Sequence, residues 1–420
     1  MKHIFCSLVV VCSTLTIVYF MKWTEVDFHT GLVYATNLTT QYESVQQNIS
    51  NETHSSFDHV ELQSLNGGTS EGPKLILQWN FKNAPKEEKI NCGDCTCLIT
   101  TDKLAYNISS AVVVYSNKII QELRHKGKDE DSLPTYRSNN QVWIFLNLES
   151  PTSLKHSLQS HSMFSKVSSK ILNQLDFRFN WTWGYQRNSD IWGPYGYFNG
   201  THAKYQNITI DTSDDQNTIL NINFAANKSK LVLWAVSNCA SWSRREMYVK
   251  KLKEYIPVDI YGACGELRCK KNSQCENDFY KPYKFYLAFE NSICKDYITE
   301  KLWRCLVVWK VIPVVFGCDD YKTLLPDRSY IDVSTFSGPH KLAEYLKHLD
   351  LDDHKYNKYF QWRTQPSAPQ LATKSLWPFE TPRCQICKKL NTKFEEQIIS
   401  FSETFNSSKY CQNLKVHYVS

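Results

Sequence analysis

Past Pro73 the chain alternates short, continuous apolar runs with amphipathic stretches. The apolar runs are rich in Val, Ile and aromatic residues and are predicted to be strands: Leu75–Trp79, Ala111–Tyr115, Val142–Leu146, Leu231–Ser237, Val258–Tyr261, Phe285–Phe289 and Val311–Phe316. Helices are predicted over Arg244–Ile256, Thr299–Trp309 and Pro339–Leu349. Buried strands that alternate with helices are typical of parallel α/β sheets. The polar stretch Asp211–Asn217 separates two such sets and is the predicted domain boundary.

An uncharged apolar segment, Ile4–Met21, stands near the N-terminus. Its length matches the roughly 20 residues that cross the hydrocarbon core of a bilayer. A secretory signal peptide is the alternative, but its apolar region normally spans about 7–15 residues and ends in a small-residue cleavage site. No such site follows here, so we predict an uncleaved signal anchor over residues 4–21 after a cytoplasmic tail of residues 1–3. Residues 22–72 are polar and aperiodic, which predicts a glycosylated stem.

Sequons and cysteines beyond the anchor indicate that the rest of the chain faces an oxidising lumenal compartment, in a single-pass type II topology. Thirteen of the 15 cysteines follow the anchor. An odd number leaves at least one thiol unpaired or bonded to a second chain, which would allow a homodimer. The candidate glycosylation sites are Asn37, Asn48, Asn51, Asn107, Asn180, Asn199, Asn207, Asn227 and Asn406.

Charge and motif spacing argue against nucleic-acid and metal sites. The formal net charge is only +6, and Lys and Arg are spread along the chain, so nucleic acid is not an expected partner. Asp129–Asp131 has the spacing of an Asp-x-Asp metal site, but it lies in a charged run that favours a solvated loop. Cys92–Cys97 and Cys384–Cys387 could imitate a zinc ribbon, yet their separation and lumenal setting favour disulfides.

The densest cluster of candidate chemistry lies within Tyr283–Phe316. The buried strand Phe285–Phe289 ends in Glu290–Asn291, and a loop leads into a helix whose first turn holds Glu300 and Lys301. Free N–H groups at a helix N-terminus attract anions, and Lys301 adds a full charge that suits the diphosphate of a nucleotide sugar. Glu300 could accept hydrogen bonds from sugar or ribose hydroxyls. The alternative is an ordinary strand–loop–helix in which Glu300 complements the helix dipole and Lys301 is solvated.

Several ordered segments carry a family pattern. They are Asn147–Pro151, Tyr185–Ile191 with Pro194–Gly196, Val236–Cys239 with Arg244–Arg245, Phe289–Ser292, Asp296–Lys301, Ile312–Val315 and Cys384–Cys387. In this order and spacing, over about Leu75 to Leu390, they resemble the α1,3-fucosyltransferases of glycosyltransferase family 10. The resemblance implies an α/β fold of GT-B type, with two Rossmann-like domains facing across a cleft. These would be residues 73–217 on the acceptor side and 218–365 on the GDP-fucose side, followed by a Cys-containing segment, 366–420.

The resemblance also implies a reaction and its residues. L-Fucose would pass from GDP-β-L-fucose to the 3-hydroxyl of a GlcNAc with inversion, and Glu149 would be the base that takes the acceptor proton. The residues that would hold GDP-fucose are Arg245, Tyr297, Glu300, Lys301, Ser237 and Asn238. Arg244 is an alternative to Arg245, because the residues before the arginine differ from those of relatives. No cofactor or divalent metal is expected, and in relatives the terminal Cys384 and Cys387 belong to the disulfide framework.

The acceptor and the setting are less defined by the residues. Tyr261–Gly265 with Ser237–Cys239 resembles enzymes acting on the core GlcNAc of N-glycans, whereas Leu148–Pro151 and Asp190–Gly196 resemble Lewis-type enzymes acting on lactosamine chains. The resemblance implies glycan acceptors on glycoproteins or glycolipids and a Golgi membrane location with a lumenal catalytic domain. A catalytically inert glycan-binding or chaperone-like relative of the secretory pathway is the alternative, which the retained Glu149 and Lys301 argue against.

Overall fold

Two largely parallel sheets form the frame of the protein in the computed structural model. The structure describes residues 72–81, 86–125, 133–134, 136–138, 140–159, 175–198, 222–270, 273–317, 321–363, 371–373, 382–394 and 397–412. The predicted anchor, stem, Asp129–Asp131 run and domain boundary Asp211–Asn217 lie outside these residues. Among the described residues, no helix combines the length and the apolar character that a membrane span requires.

The first sheet has seven strands in the order β2-β3-β1-β4-β5-β6-β7, parallel except for the β2–β3 pair. The strands are β1 (Lys74–Gln78), β2 (Glu87–Asn91), β3 (Thr96–Thr100), β4 (Ala111–Tyr115), β5 (Val142–Asn147), β6 (Trp181–Gly184) and β7 (Ile191–Trp192). The predictions for β1, β4 and β5 are confirmed. The edge strand β2 was not predicted, because its sequence EEKIN is mostly polar and only alternate residues are partly buried.

The second sheet has five parallel strands in the order β10-β9-β11-β12-β13. They are β9 (Lys230–Ala235), β10 (Val258–Tyr261), β11 (Tyr283–Phe289), β12 (Ile312–Phe316) and β13 (Ile331–Asp332). All four predicted strands in this region are confirmed within two residues at each end. Because β9 lies between β10 and β11, the strand order changes direction there, and ligands of open α/β sheets bind at the carboxyl ends of such strands.

Helices cover both sheets. They are α1 (Ser116–His125), α2 (Pro151–Gln159), α3 (Arg245–Leu252), α4 (Gln274–Asp278), α5 (Glu300–Arg304), α6 (Tyr321–Leu324), α7 (Pro339–Asp350) and α8 (Asp353–Asn357). The helix predicted over Arg244–Ile256 ends earlier, at Leu252. The next residues form turns with backbone hydrogen bonds between residues three apart, before Pro257. The helix predicted over Thr299–Trp309 is α-helical only in α5 and continues as a π-helical turn over Cys305–Trp309.

The end of the chain returns to the first sheet. It forms α9 (Pro382–Leu390), α10 (Phe401–Thr404) and α11 (Ser407–Tyr410), while β8 (Gly196–Phe198) pairs with β14 (Leu371–Thr373). Residues 397–412, which we name the C-terminal strap, pack through Phe401, whose ring centroid lies 4.9 Å from that of Phe145 in β5. The backbone N–H of Ile399 donates to the carbonyl oxygen of Phe179 over 2.9 Å. The strap therefore belongs to the core of the first sheet.

Disulfides attach this returning chain. The bonds among the described cysteines are Cys92–Cys384, Cys97–Cys387, Cys239–Cys264, Cys269–Cys275 and Cys294–Cys411. The first two join the β2–β3 region to α9, so four of the five cysteines that could imitate a zinc ribbon form disulfides and Cys95 does not. The last ties the strap to the loop after β11. Cys95 and Cys305 are the free thiols among the described cysteines.

We predict that Phe401→Ala lowers the free energy of unfolding by about 3–5 kcal/mol, because it removes a buried ring that is only 2% exposed. Ile398→Ala is the matched control: this strap residue is 53% exposed and should change stability by less than about 0.5 kcal/mol. Denaturant unfolding of both variants measures the difference. Equal, small effects would mean that the strap is not part of the folded core.

Candidate active site

The candidate base follows the buried strand β5. Asn147, the last residue of β5, donates from its amide to the carbonyl oxygen of Glu149 over 2.7 Å and so fixes the turn. The hydroxyl of Ser150 accepts the N–H of Ser153 over 3.1 Å and caps α2, while Pro151 occupies the first helical position. This local sequence holds the half-buried Glu149 at the carboxyl end of the first sheet.

The surroundings of Glu149 favour its neutral form. Burial raises the pKa of its carboxyl above the ordinary value; the Lys301 ammonium and a hydrogen bond from Tyr297 oppose this rise, and Glu300 adds to it. The Tyr297 hydroxyl donates to Glu149 Oε2 over 3.2 Å. A glutamate with a raised pKa is suited to accept a proton near neutral pH.

A second carboxylate, Glu290, lies at the end of β11 and is 1% exposed. Its oxygens accept hydrogen bonds from the backbone N–H of Thr299 over 2.7 Å, from the Thr299 hydroxyl over 2.9 Å and from Lys301 Nζ over 3.2 Å. Sequence analysis predicted that the start of α5 offers its N–H groups to a bound anion. In the structure the Thr299 N–H already binds the protein's own Glu290.

Lys301 and Glu300 complete this cluster. Lys301 Nζ donates to the Thr299 hydroxyl over 2.6 Å and to Glu300 Oε1 over 3.4 Å. Burial alone would lower the pKa of Lys301, but Glu290 and Glu300 raise it. Burial would likewise raise the pKa of Glu300, yet Lys301, Arg304 and a backbone hydrogen bond lower it to about 2. Both side chains are therefore charged, and Lys301 is not simply solvated.

The two candidate arginines have different environments. Arg245 is 3% exposed, and its guanidinium donates to the carbonyl oxygen of Phe289 over 2.6 Å and to that of Asn238 over 3.4 Å. It thereby joins the loops that follow β9 and β11. Arg244 is exposed and caps α3 with a left-handed backbone, at φ +51°. Ser237 and Asn238 follow the end of β9, and both are exposed.

Direct contacts join the segment around Glu149 to the loop after β11. The hydroxyls of Ser150 and Thr152 each donate to Ser292 Oγ over 2.8 Å. The Arg187 Nε lies 3.2 Å from Asp296 Oδ1 in an ion pair. These contacts, together with the Tyr297–Glu149 hydrogen bond, bring the carboxyl ends of both sheets to one site.

Gly196 shows how closely the start of β8 approaches α5. A Cβ atom at this position would lie 2.3 Å from the Trp303 ring, so a larger residue would displace the ring and α5 with it. The segment before Gly196 is also fixed, since the hydroxyl of Tyr195 donates to the carbonyl oxygen of Leu148 over 2.9 Å. Sequence pattern identified Pro194–Gly196 but could not show this packing.

The structure therefore gathers Glu149, Tyr297, Glu300, Lys301 and Arg245, with Arg244 on the surface. Sequence reasoning assigned no role to Glu290, although an acidic residue at the end of a buried strand, before a Thr-Glu-Lys helix start, could have indicated one. Among the residues described, no group of three or more His, Cys, Asp or Glu side chains is placed to hold a metal ion.

Four predicted sequons fall within the described residues. Asn107, Asn227 and Asn406 are exposed. Asn180 is half-buried, and its amide donates to the carbonyl oxygen of Gln397 over 2.9 Å while accepting the N–H of Trp143 over 2.9 Å. The candidates Asn37, Asn48, Asn51, Asn199 and Asn207 lie outside the described residues.

Comparison with known proteins identifies the family of the chain. Two family models match: "Fucosyltransferase, N-terminal" over residues 71–196, and "Glycosyltransferase family 10 (fucosyltransferase) C-term" over residues 225–404. The solved "Crystal Structure of alpha1,3-Fucosyltransferase with GDP-fucose" covers 81% of this chain and 97% of its own, with 15% identity and a TM-score of 0.46.

Curated relatives are more similar in sequence. Glycoprotein 3-alpha-L-fucosyltransferase A of Drosophila melanogaster is 41% identical over 76% of this chain, which spans 55% of that relative's length. The 4-galactosyl-N-acetylglucosaminide 3-alpha-L-fucosyltransferase FUT6 of Pongo pygmaeus is 33% identical over 79% of this chain and 82% of its own. The chain belongs to the fucosyltransferases of glycosyltransferase family 10.

Proposed function

We propose that the protein is an inverting α1,3-fucosyltransferase, which moves L-fucose from GDP-β-L-fucose to the 3-hydroxyl of a GlcNAc. The observation that carries the proposal is the meeting of Glu149, at the end of one sheet, with Tyr297, Glu300 and Lys301 from the other. A carboxylate with a raised pKa faces a cationic side chain across one site. That pairs a proton acceptor with a group that stabilises a departing anion.

The chemistry is a single displacement at the fucose anomeric carbon. Glu149 takes the proton from the acceptor hydroxyl, whose oxygen forms a bond to that carbon. The bond from the carbon to the diphosphate oxygen breaks, and GDP leaves with the electron pair. Lys301 and Arg245 meet the diphosphate charge, and Glu300, ionised because of its lowered pKa, accepts hydrogen bonds from donor hydroxyls.

Membership of the family supports an active enzyme, and no observation favours an inert relative. The Drosophila relative is named for a glycoprotein acceptor and the Pongo relative for a galactosyl-GlcNAc acceptor. We therefore propose the core GlcNAc of N-glycans and lactosamine-type chains as the two acceptor classes to test. We further propose a type II protein of the Golgi membrane, on the strength of the apolar segment Ile4–Met21 and the lumenal sequons.

The test is fucosyl transfer by the full chain, supplied with GDP-fucose and a panel of core N-glycans and lactosamine chains. Glu149→Gln should lower kcat by about 10²–10⁴-fold, the usual contribution of a general base. GDP binding, measured by calorimetry, should persist. Transfer at the original rate would remove Glu149 as the base, and no transfer by the unaltered chain to any acceptor would reject the proposed function.

The same variant should be at least as stable as the unaltered chain at pH 7. The raised pKa of Glu149 means that folding favours its protonated form, so this contribution to stability is present at low pH and is lost as the pH rises through the folded-state pKa. A glutamine carries no charge at either pH. Unfolding at pH 7 and below pH 4 checks this: the advantage of the variant should shrink on acidification, and a loss of stability at pH 7 would contradict the assigned environment.

Tyr297→Phe should move the acid limb of the pH–rate profile to higher pH. The Tyr297 hydrogen bond favours ionised Glu149, so its loss raises the pKa of that base further, and activity falls earlier as the pH is lowered. Profiles of kcat/KM measure the shift. Tyr255→Phe is the control, because this tyrosine is 39% exposed and its ring lies beside that of His340 in α7, with 6.2 Å between the ring centroids. An unmoved acid limb would separate Tyr297 from the base.

Lys301→Ala should weaken GDP binding by roughly 10–100-fold, the range expected when one charge-assisted hydrogen bond is lost. The control is Lys341→Ala, which removes an exposed lysine paired with Glu344 over 2.8 Å. Calorimetric titration of GDP into each variant gives the affinities. If both variants bind GDP as the unaltered chain does, Lys301 serves only the protein's internal charge network.

A further inference from the structure

The loop that carries Tyr297 is attached to the C-terminal strap by a disulfide and a short antiparallel pairing. The Cys294–Cys411 bond joins residues 117 positions apart in sequence. Backbone hydrogen bonds of 2.8 Å flank the disulfide on either side: Lys295 N–H to the Tyr410 carbonyl oxygen, and Gln412 N–H to the Ile293 carbonyl oxygen. The far end of the strap is therefore a fixed partner for the loop just before Tyr297.

The disulfide lies against the Tyr297 ring. Tyr185, Cys294 and Tyr297 form one small buried cluster, and Cys411 packs against it. The ring centroids of Tyr185 and Tyr297 are 4.9 Å apart. The backbone N–H of Tyr297 also donates to the carbonyl oxygen of Cys294 over 3.1 Å. The place of this ring, which is 2% exposed, thus depends on both cysteines of the bond.

The same contacts continue to the first sheet. The hydroxyl of Thr152, in α2, lies 3.8 Å from Cys294 Sγ. The Tyr297 hydroxyl donates to Glu149 Oε2 over 3.2 Å, in the turn just before α2. Strap, disulfide, tyrosine and candidate base therefore form one continuous series of contacts.

The donor-side cluster is held separately. The carboxylate of Glu290 is bound by the backbone and hydroxyl of Thr299 and by the ammonium of Lys301. These bonds lie within the segment from β11 to α5 and do not involve the strap. Opening the disulfide should therefore displace Tyr297 while Glu290 and Lys301 keep their places.

We propose that the Cys294–Cys411 disulfide is a positioning element for the reaction, because it holds Tyr297 where its hydroxyl donates to Glu149. The proposal rests on the proposed function, since it takes Glu149 as the base. It extends that function by making activation of the acceptor depend on an oxidised bond to the strap, a segment outside both sheets.

The first test replaces both cysteines in the full chain, Cys294→Ala with Cys411→Ala, so that no new thiol titrates near the site. The acid limb of the kcat/KM profile should move to higher pH by about one unit, because loss of one hydrogen bond raises the pKa of Glu149. The KM for GDP-fucose should stay unchanged. An unmoved limb would overturn the proposal, and so would a shift to lower pH, which would indicate entry of water around Glu149.

The other titratable groups around Glu149 stay the same in this variant. They are Tyr115, Tyr195, Glu290, Glu300 and Lys301. The control is Cys269→Ala with Cys275→Ala, which removes a disulfide between residues six apart that takes no part in the Tyr297 cluster. Its acid limb should match that of the unaltered chain. If both disulfide variants move the limb equally, the effect is a general loss of structure and the proposal fails.

Addition of Tyr297→Phe to the first variant tests the route of the effect. If the disulfide acts through Tyr297, the combined variant should show the shift of Tyr297→Phe alone, since the same hydrogen bond is lost in each. Shifts that add in full would show that the disulfide reaches Glu149 by another route, and would overturn the positioning role.

Reduction of the folded, unaltered chain provides a second route to the open state, which does not require the alanine variant to fold. A dithiol reductant breaks the S–S bond, leaves a thiol on each cysteine and is itself oxidised to a disulfide. Alkylation with mass spectrometry reports which disulfide has opened. The acid limb should shift in proportion to the opening of Cys294–Cys411 and return on reoxidation. A shift that follows another disulfide would overturn the proposal.

A direct titration separates this proposal from the proposed function. Carbon-13 NMR of labelled glutamate side chains, with Glu149→Gln to assign the signal, gives the pKa of Glu149 without any transfer. If the chain transfers no fucose, yet this pKa rises in both Tyr297→Phe and the first disulfide variant, the positioning role stands while the transferase proposal fails. If the chain transfers fucose and the disulfide variant leaves the pKa unchanged, the positioning proposal alone fails. Neither transfer nor a raised pKa would reject both.

Discussion

The buried carboxylate of Glu290 is the interaction on which the candidate site depends. A charge that is 1% exposed is costly unless it is paired and hydrogen-bonded. Glu290 meets that condition with the Thr299 backbone and hydroxyl and with Lys301. These bonds fix where α5 begins and which way Lys301 points. Glu290, at the end of β11, therefore determines where the Lys301 ammonium lies.

Hydrogen bonds between loops connect this cluster to the end of β5 in the first sheet. The loop between β11 and α5 holds Ser292, which receives hydrogen bonds from Ser150 and Thr152, and Tyr297, which donates to Glu149. The candidate base Glu149 is therefore positioned from both sides, by the turn after β5 and by Tyr297 opposite. Burial in this enclosure raises the pKa of Glu149, and the hydrogen bond from Tyr297 opposes that rise.

The parts of the fold that sequence predicted are those where one local rule decides the outcome. The largely apolar runs VWIFLN and YKFYLAF, which are buried along their whole length, are short and rich in β-branched and aromatic residues, which favours interior strands. The polar strand β2 and the π-helical turn Cys305–Trp309 depend on distant packing, and no local pattern indicates them. For the site, resemblance supplied the candidate residues. It did not supply the Ser150–Ser292 and Tyr297–Glu149 hydrogen bonds, which bring together segments far apart in sequence.

Charge balance in the cluster links donor to base. Three carboxylates, Glu149, Glu290 and Glu300, lie near two cations, Arg245 and Lys301, and the Lys301 ammonium lowers the pKa that burial gives Glu149. A diphosphate bound at Lys301 would offset part of that positive potential. The pKa of Glu149 would then rise, and its carboxylate would become a stronger base once the donor is in place. In the proposed reaction this arrangement would couple proton removal from the acceptor to the presence of the donor, through one lysine that Glu290 holds in position.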